Sequence, residues 1–229
     1  IIGCGLIDIE SCFQFARANE VCQIVDMDKC DSKSFKENMQ KIRNHFNELS
    51  QTRKNTTSIL SVYNIETCEV KTLHKFDRII EAPNWPNDNN TIIYNSEGKI
   101  YKYSIVDDKE EVIQTGICNN CNNDHVLSPD NKKIAISHSE PGGWQSKIYI
   151  LPITGSENPT LVTPNAPSFL HGWSPDGKEL SYCAFREDDS TKKFSVDVFT
   201  INVDGGVERR LTKNACFNDG PEYQPDGNK

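Results

Sequence analysis

One short turn occurs four times in this chain, and its spacing constrains the fold more than any other feature. The copies are Asn84-Trp-Pro-Asn-Asp-Asn89, Leu127-Ser-Pro-Asp-Asn-Lys132, Trp173-Ser-Pro-Asp-Gly-Lys178 and Tyr223-Gln-Pro-Asp-Gly-Asn228. Their prolines, Pro86, Pro129, Pro175 and Pro225, lie 43, 46 and 50 residues apart. Pro presets φ at the first corner of a type I turn, Asp or Asn suits the second, and Gly or Asn takes the left-handed position that sends the next strand back. Between the turns run short alternating segments rich in Ile, Val, Tyr and Phe: SILSVYNI, TIIYNS, KIYKYSI, KKIAISHS, SKIYILPI, KELSYCAF and FSVDVFTINV. Each repeat closes on a short strand such as Thr160-Leu-Val-Thr163 or Glu208-Arg-Arg-Leu-Thr212. Four short strands per repeat of about 40–50 residues mark β-propeller blades, so the expected fold is mainly β.

The segment Trp173 to Lys178, the apolar strand after it, Val198 to Ile201, Asp204-Gly-Gly206 and Arg210-Leu-Thr212 resembles the TolB-like propeller family. The resemblance extends over residues 58–229, with Asn replacing Gly in the earlier turns, a residue that also accepts the left-handed conformation. Residues 58–80 supply the outer strands of one blade, 81–117, 118–165 and 166–213 supply three more, and the last residues open another. The resemblance implies a ring that has six blades in full. At this period a closed ring takes roughly 250 residues or more, so the propeller is expected to be incomplete here, cut short at its C-terminus.

Residues 1–52 read differently, as a short α/β segment. Ile9, Cys12, Phe13, Phe15 and Ala16 recur at helical spacing, Gln23-Ile-Val-Asp-Met-Asp28 reads as a strand, and Phe35, Met39, Ile42, Phe46 and Leu49 line a second helix. Gly3-x-Gly5 with Asp26 has the outline of a dinucleotide-binding turn. However, Asp8 stands where the third glycine belongs, and the further βα units never arrive. Gly3, Gly5, Ile7 and Asp8, with Ile24 to Cys30, instead resemble the closing section of a sugar-phosphate isomerase/epimerase (β/α)8 barrel. That resemblance implies the remnant of a barrel end, whose metal-binding residues lie on strands this chain lacks, and makes a sugar isomerase/epimerase fusion one reading of the parent protein. The polar stretch 50–57 then separates this segment from a propeller domain over 53–229.

Equivalent positions of the repeat can be compared directly. Five residues before each turn proline lie Glu81, Asp124, Leu170 and Gly220, and four before it lie Ala82, His125, His171 and Pro221, with Asp219 and Glu222 beside the last copy. In propellers the innermost strand begins here, close to the mouth of the central channel. Glu81, Asp124, His125, His171, Asp219 and Glu222 are therefore the candidate ligand-binding residues. Histidine with carboxylate suits a divalent metal, a sugar or a peptide terminus. His125 and His171 are the candidate metal ligands, with Mn or Ca the ions considered, although no cofactor is required by the pattern.

No G-x-S-x-G nucleophile turn occurs. A propeller without an attached catalytic domain is read as a ligand- or protein-binding module, non-catalytic on its own, with a protein partner or a carbohydrate or peptide ligand at the channel. The alternative is a metal-dependent lyase resembling the oligogalacturonate lyases and using the two histidines. Lys and Arg number 25 against 33 Asp and Glu, a net charge of −8, which argues against nucleic acid as a general partner. No apolar run is long enough to span a membrane. Nine cysteines without framework spacing read as reduced thiols, favouring the cytoplasm, with the periplasm the alternative because the chain begins at Ile1 without a visible leader. Cys118-Asn-Asn-Cys121 is a lone CxxC, for which His125 is the nearest third ligand. It reads as a loop with two partly buried thiols, and His138 and the Pro141-Gly-Gly143 loop as structural or rim positions.

Overall fold

A computed structural model describes residues 2–4, 56–140, 145–187, 194–213 and 218–227. The α/β reading of residues 1–52, including both helices, falls outside the described residues except for a strand at Ile2–Cys4 (β1). All the described elements are strands. Contacts divide the chain into two compact units. One carries the antiparallel pair Ser58–Tyr63 (β2) and Val70–Phe76 (β3), ordered β1-β2-β3 in its sheet, with Leu60 and Phe76 buried.

The other unit holds three four-stranded antiparallel meanders, apart from residues 186–195 of the last, one for each full blade read from the repeat. They are Glu81–Asn84, Thr91–Ser96, Lys99–Ser104 and Lys109–Val112 (β4–β7); Cys121–Leu127, Lys133–His138, Lys147–Pro152 and Thr160–Leu161 (β8–β11); and Ser168–Trp173, Glu179–Glu187, Phe194–Asn202 and Arg209–Arg210 (β12–β15). The first strands of the blades are neighbours, with β8 packed between β4 and β12. Burial falls from the second strand to the fourth: Thr91–Ser96 is buried at every residue, whereas Lys109–Val112 is exposed at every residue. Second strands are covered on both faces because each blade is sandwiched by its neighbours, so they read as continuous apolar runs instead of alternating ones.

Among the described residues of this unit, two buried apolar clusters each span a blade junction. Ile93, Ile100 and Ile113 of one blade pack with Cys121, Ile134, Ile136 and Leu151 of the next. Ala135, Ile148, Ile150 and Val162 pack with Leu170, Leu180, Tyr182, Phe199 and Ile201. Cys118 and Cys121 belong to the first junction: both are buried free thiols, the Cys121 thiol donates to the Cys118 carbonyl at 3.3 Å, and burial pushes both pKa values up to about 12.

The repeated turn is built as its residues dictate. The amide of Asn131 donates to Ser128 O, and that of Gly177 to Ser174 O, each at 2.8 Å. Asn89, Asn131, Gly177 and Gly227 all carry positive φ, from 55° to 75°. The serine hydroxyl donates to the aspartate (Ser128 to Asp130 at 2.7 Å, Ser174 to Asp176 at 2.8 Å) and accepts the amide that opens the following strand, Lys133 at 2.9 Å or Glu179 at 2.8 Å. These donors hold the Asp130 and Asp176 carboxyls below the usual carboxylate range. Asn131 has a second role that glycine cannot fill. Its Oδ1 accepts the Asn87 amide of the preceding blade's turn at 2.6 Å, while its Nδ2 donates to Ser128 O at 3.1 Å.

The threonine that closes the last two full repeats is structural as well. Thr163 Oγ1 accepts the Ile148 amide at 2.8 Å, and Thr212 Oγ1 accepts the Val198 amide at 3.0 Å. Thr212 also donates to buried Asp197 at 2.8 Å, and Arg210 pairs with that carboxylate at 2.5 Å, which explains the R-L-T ending.

Two outcomes follow for urea denaturation. Asn131→Gly keeps the backbone conformation but loses both side-chain bonds, and is expected to lower stability by about 1 kcal/mol. Thr163→Val leaves the Ile148 amide buried without an acceptor and is expected to cost about 1–3 kcal/mol. An unchanged midpoint in either variant would show that the tie carries no weight.

Candidate functional site

The first strand of every full blade is interrupted by a bulge near its start. Regular pairing is broken between Glu81 and Asn84, between Cys121 and His125, and between Leu170 and Gly172. A bulge adds residues to one strand that have no partner on the other, and it turns their side chains away from the sheet's regular alternation. Glu81 lies at the edge of one bulge, Asp124 within the second, and His171 is the extra residue of the third.

The bulges explain why two histidines at the same repeat position have different surroundings. His125 keeps regular register, opposite Ile136. In the next blade the bulge falls one step later: Leu170 takes the equivalent place, opposite Tyr182, and His171 is displaced from the ladder. His125 is accordingly buried at 4% exposure, with Nδ1 at 3.1 Å from Asn123 O. Burial lowers its pKa to about 4, against the carbonyls of Ile93 and Asn123, so its ring is neutral. The His171 side chain is 23% exposed, and its Nε2 lies 3.0 Å from Asp219 Oδ1.

Around His171 the remaining candidates are coupled. Burial opposes its protonation but is outweighed by the bond to Asp219 and the charges of Asp124, Asp219 and Glu222, which raise its pKa. The His171 bond, working against burial, lowers the Asp219 pKa. Burial raises Asp124 to about 6; Asp219 and Glu81 add to the rise, while His171 and a bond from Asn122 resist it. Burial also raises Glu222, with His171 opposing. The structure thus brings Glu81, Asp124, His171, Asp219 and Glu222 into one electrostatic cluster and leaves the His125 ring in the core.

Asp219 reaches this cluster because the segment 218–223 lies against the last blade. Asn218 N donates to Val196 O at 3.1 Å, and Ser181 Oγ donates to Pro221 O at 3.3 Å. Gly172 makes room for it: a Cβ there would stand 2.6 Å from Ser181 Oγ and 3.4 Å from Pro221 O.

Cys183 is the member that the sequence reading missed. Along β13, Leu180, Tyr182 and Ala184 enter the core while Ser181 and Cys183 meet segment 218–223, as strand alternation requires. The thiol is buried, and burial together with Asp219 raises its pKa. The ligating atoms of His171, Cys183 and Asp219 all lie within 4.8 Å of one another. Cys183 was legible only as a small core residue; the available signal was its place one step from buried Tyr182, on the face opposite the core.

No protein-family model matches the chain. An uncharacterized protein of Agrobacterium fabrum is 42% identical over 171 residues, covering 74% of this chain and 56% of its own length. The solved structure of a candidate TolB from Agrobacterium tumefaciens superposes with a TM-score of 0.66 at 43% identity, covering 75% of this chain and 59% of the other. TolB from Acinetobacter baumannii superposes with a TM-score of 0.60 at 22% identity, covering 77% of this chain and 43% of the other. The chain therefore spans little more than half the length of the first two and less than half of the third. These likenesses give no support to a sugar isomerase barrel in the N-terminal segment. The fold of the described residues is that of TolB-like propeller blades.

Proposed function

We propose that this chain is a ligand- or protein-binding propeller module of the TolB type, non-catalytic on its own, and that the bulges of its inner strands hold the recognition site. One observation carries the reading: Asp124, Asp219 and Glu222 act on a single imidazole, His171, and Glu81 acts in turn on Asp124. Three carboxylates acting on one histidine leave an excess of negative charge and a set of acceptors. Such a set suits a positively charged group, such as a lysine or arginine side chain or the amino terminus of a protein partner. The likeness to TolB supports a protein partner. It also fits a periplasmic setting, and nothing found supports the cytoplasmic preference drawn from the thiols.

The lyase alternative asks His125 and His171 to share a metal, and the burial of the His125 ring among core residues favours it less. Among the described residues, no helix is long and apolar enough to cross a membrane.

The reading fixes a pH dependence. Asp124, raised to about 6 by burial, gains its charge as pH rises, and His171, whose pKa is raised, loses its own. Both changes make the cluster more negative. Glu81, Asp219, Glu222 and the Cys183 thiol also act on these groups; the His171 bond favours the charged form of Asp219, and burial keeps the thiol protonated. Calorimetric titration with a trilysine peptide is expected to show affinity rising from pH 5 to pH 8, by roughly tenfold for about 1.4 kcal/mol of added attraction. Asp124→Asn should remove most of that rise, and triglutamate should not bind. Trilysine binding that is absent, or that is indifferent to Asp124→Asn combined with Asp219→Asn, would refute the reading.

A further inference from the structure

At each blade junction, one residue of the second strand ties its blade to the inner strand of the next. Asn95 Nδ2 donates to Cys121 O at 3.2 Å, and Ser137 Oγ accepts the Leu170 amide at 2.9 Å. Each of these ties joins a neutral side chain to backbone. Cys183 occupies the same place in the third blade, directly after Tyr182 as Asn95 directly follows Tyr94, and the repeat aligns it with Ser137. Its counterpart is the side chain of Asp219, and His171 has been displaced by its bulge onto the same carboxylate. At this junction alone among the described ones, the tie consists of a thiol, an imidazole and a carboxylate.

We propose that His171, Cys183 and Asp219 form a binding site for a transition-metal ion of the zinc type. Their ligating atoms already lie within 4.8 Å of one another, and His171 Nε2 and Asp219 Oδ1 are 3.0 Å apart. Tetrahedral bonds of about 2.0–2.3 Å set ligand atoms roughly 3.3–3.8 Å apart, so the three need to shift by no more than about an ångström. One sulfur, one nitrogen and one oxygen donor select a borderline ion over magnesium or calcium, which take oxygen. Three protein ligands leave a fourth position for water or an incoming donor. The ligands come from β12, β13 and the segment 218–223, so the metal would clip that segment to the last blade. Binding releases the Cys183 proton and the Nε2 proton that His171 shares with Asp219. The site shares two residues with the recognition cluster and rests on the reading of that cluster as one that takes up positive charge.

Cobalt(II) reports such a site directly, because a bound thiolate gives an intense near-ultraviolet charge-transfer band. The chain, stripped with chelator and titrated with Co²⁺, is expected to develop that band at one equivalent and to lose it on addition of Zn²⁺. Cys183→Ser should abolish the band. His171→Ala and Asp219→Asn should each weaken binding by more than about tenfold, the scale already reached when a supporting group is lost. Asp219 is exposed, so its variant keeps the test valid if the buried Cys183 substitution unfolds the junction. Absence of the band, its persistence in Cys183→Ser, or unchanged affinity in Asp219→Asn overturns the proposal. Trilysine, titrated separately, distinguishes the two readings. A band without peptide binding upholds the metal and refutes amine recognition; peptide binding without a band does the reverse.

Discussion

Each blade in this chain is stable only because its neighbour covers it. A single four-stranded meander has two faces and one middle, and the second strands here have no face left for water: Ile92, Ile93 and Tyr94 are each at 0% exposure, as are Ile134, Ala135 and Ile136. Both core clusters draw on two blades, so no blade owns a core of its own. Stability in such an array is a sum of junctions. The polar ties therefore sit where they do: the Asn131 bridge between turns, the Ser137 and Asn95 contacts to the next inner strand, and the Thr163 hydroxyl that satisfies an amide between third and fourth strands. At all but the Asn131 bridge, a buried or half-buried backbone group would otherwise lose its partner where apolar packing offers no substitute.

The same constraint creates the site. Inner strands must lie side by side, and each relieves its pairing with a bulge near its start. A bulged residue escapes the alternation that would commit it either to a junction or to the opposite face. His171 shows the effect most clearly. In register it would occupy the place of Leu170 or of His125, inside apolar packing, where a charged imidazole is costly. Displaced by one position, it becomes half-buried among carboxylates that favour its protonated form.

This also marks where the sequence stops being informative. The turn prolines with their left-handed partners and the blade boundaries were legible, because each follows from local chemistry repeated at a fixed period, whereas the second strands read as alternating segments although both their faces are covered. The structure sets Asn89, Asn131, Gly177 and Gly227 at the expected positive φ. Repeat alignment also singled out Glu81, Asp124, His171, Asp219 and Glu222 as candidates, and their charges act on one another's protonation. The separation of His125 from His171 was not legible. It depends on a bulge that falls one residue later in one blade than in another, and both versions of the strand have acceptable alternation. Cys183 was hidden for the opposite reason: a buried cysteine in an apolar strand is ordinary, and only the partner across the junction gives it chemistry.

The acidic cluster is then better understood as a junction whose polar tie is oversized. Asn95 and Ser137 show that a neutral amide or hydroxyl suffices to hold one blade to the next. Where Cys183, Asp219 and His171 take over that task, the tie brings ionisable groups together with Asp124, Glu81 and Glu222 close enough to shift one another's protonation. Such an arrangement costs folding energy, because Asp124 is held well above its ordinary pKa largely by burial. A junction that needed only mechanical strength gains nothing from it. The cost is offset when a positive charge arrives, whether a cationic side chain or a metal ion, since its attraction favours the charged form of Asp124 that burial opposes.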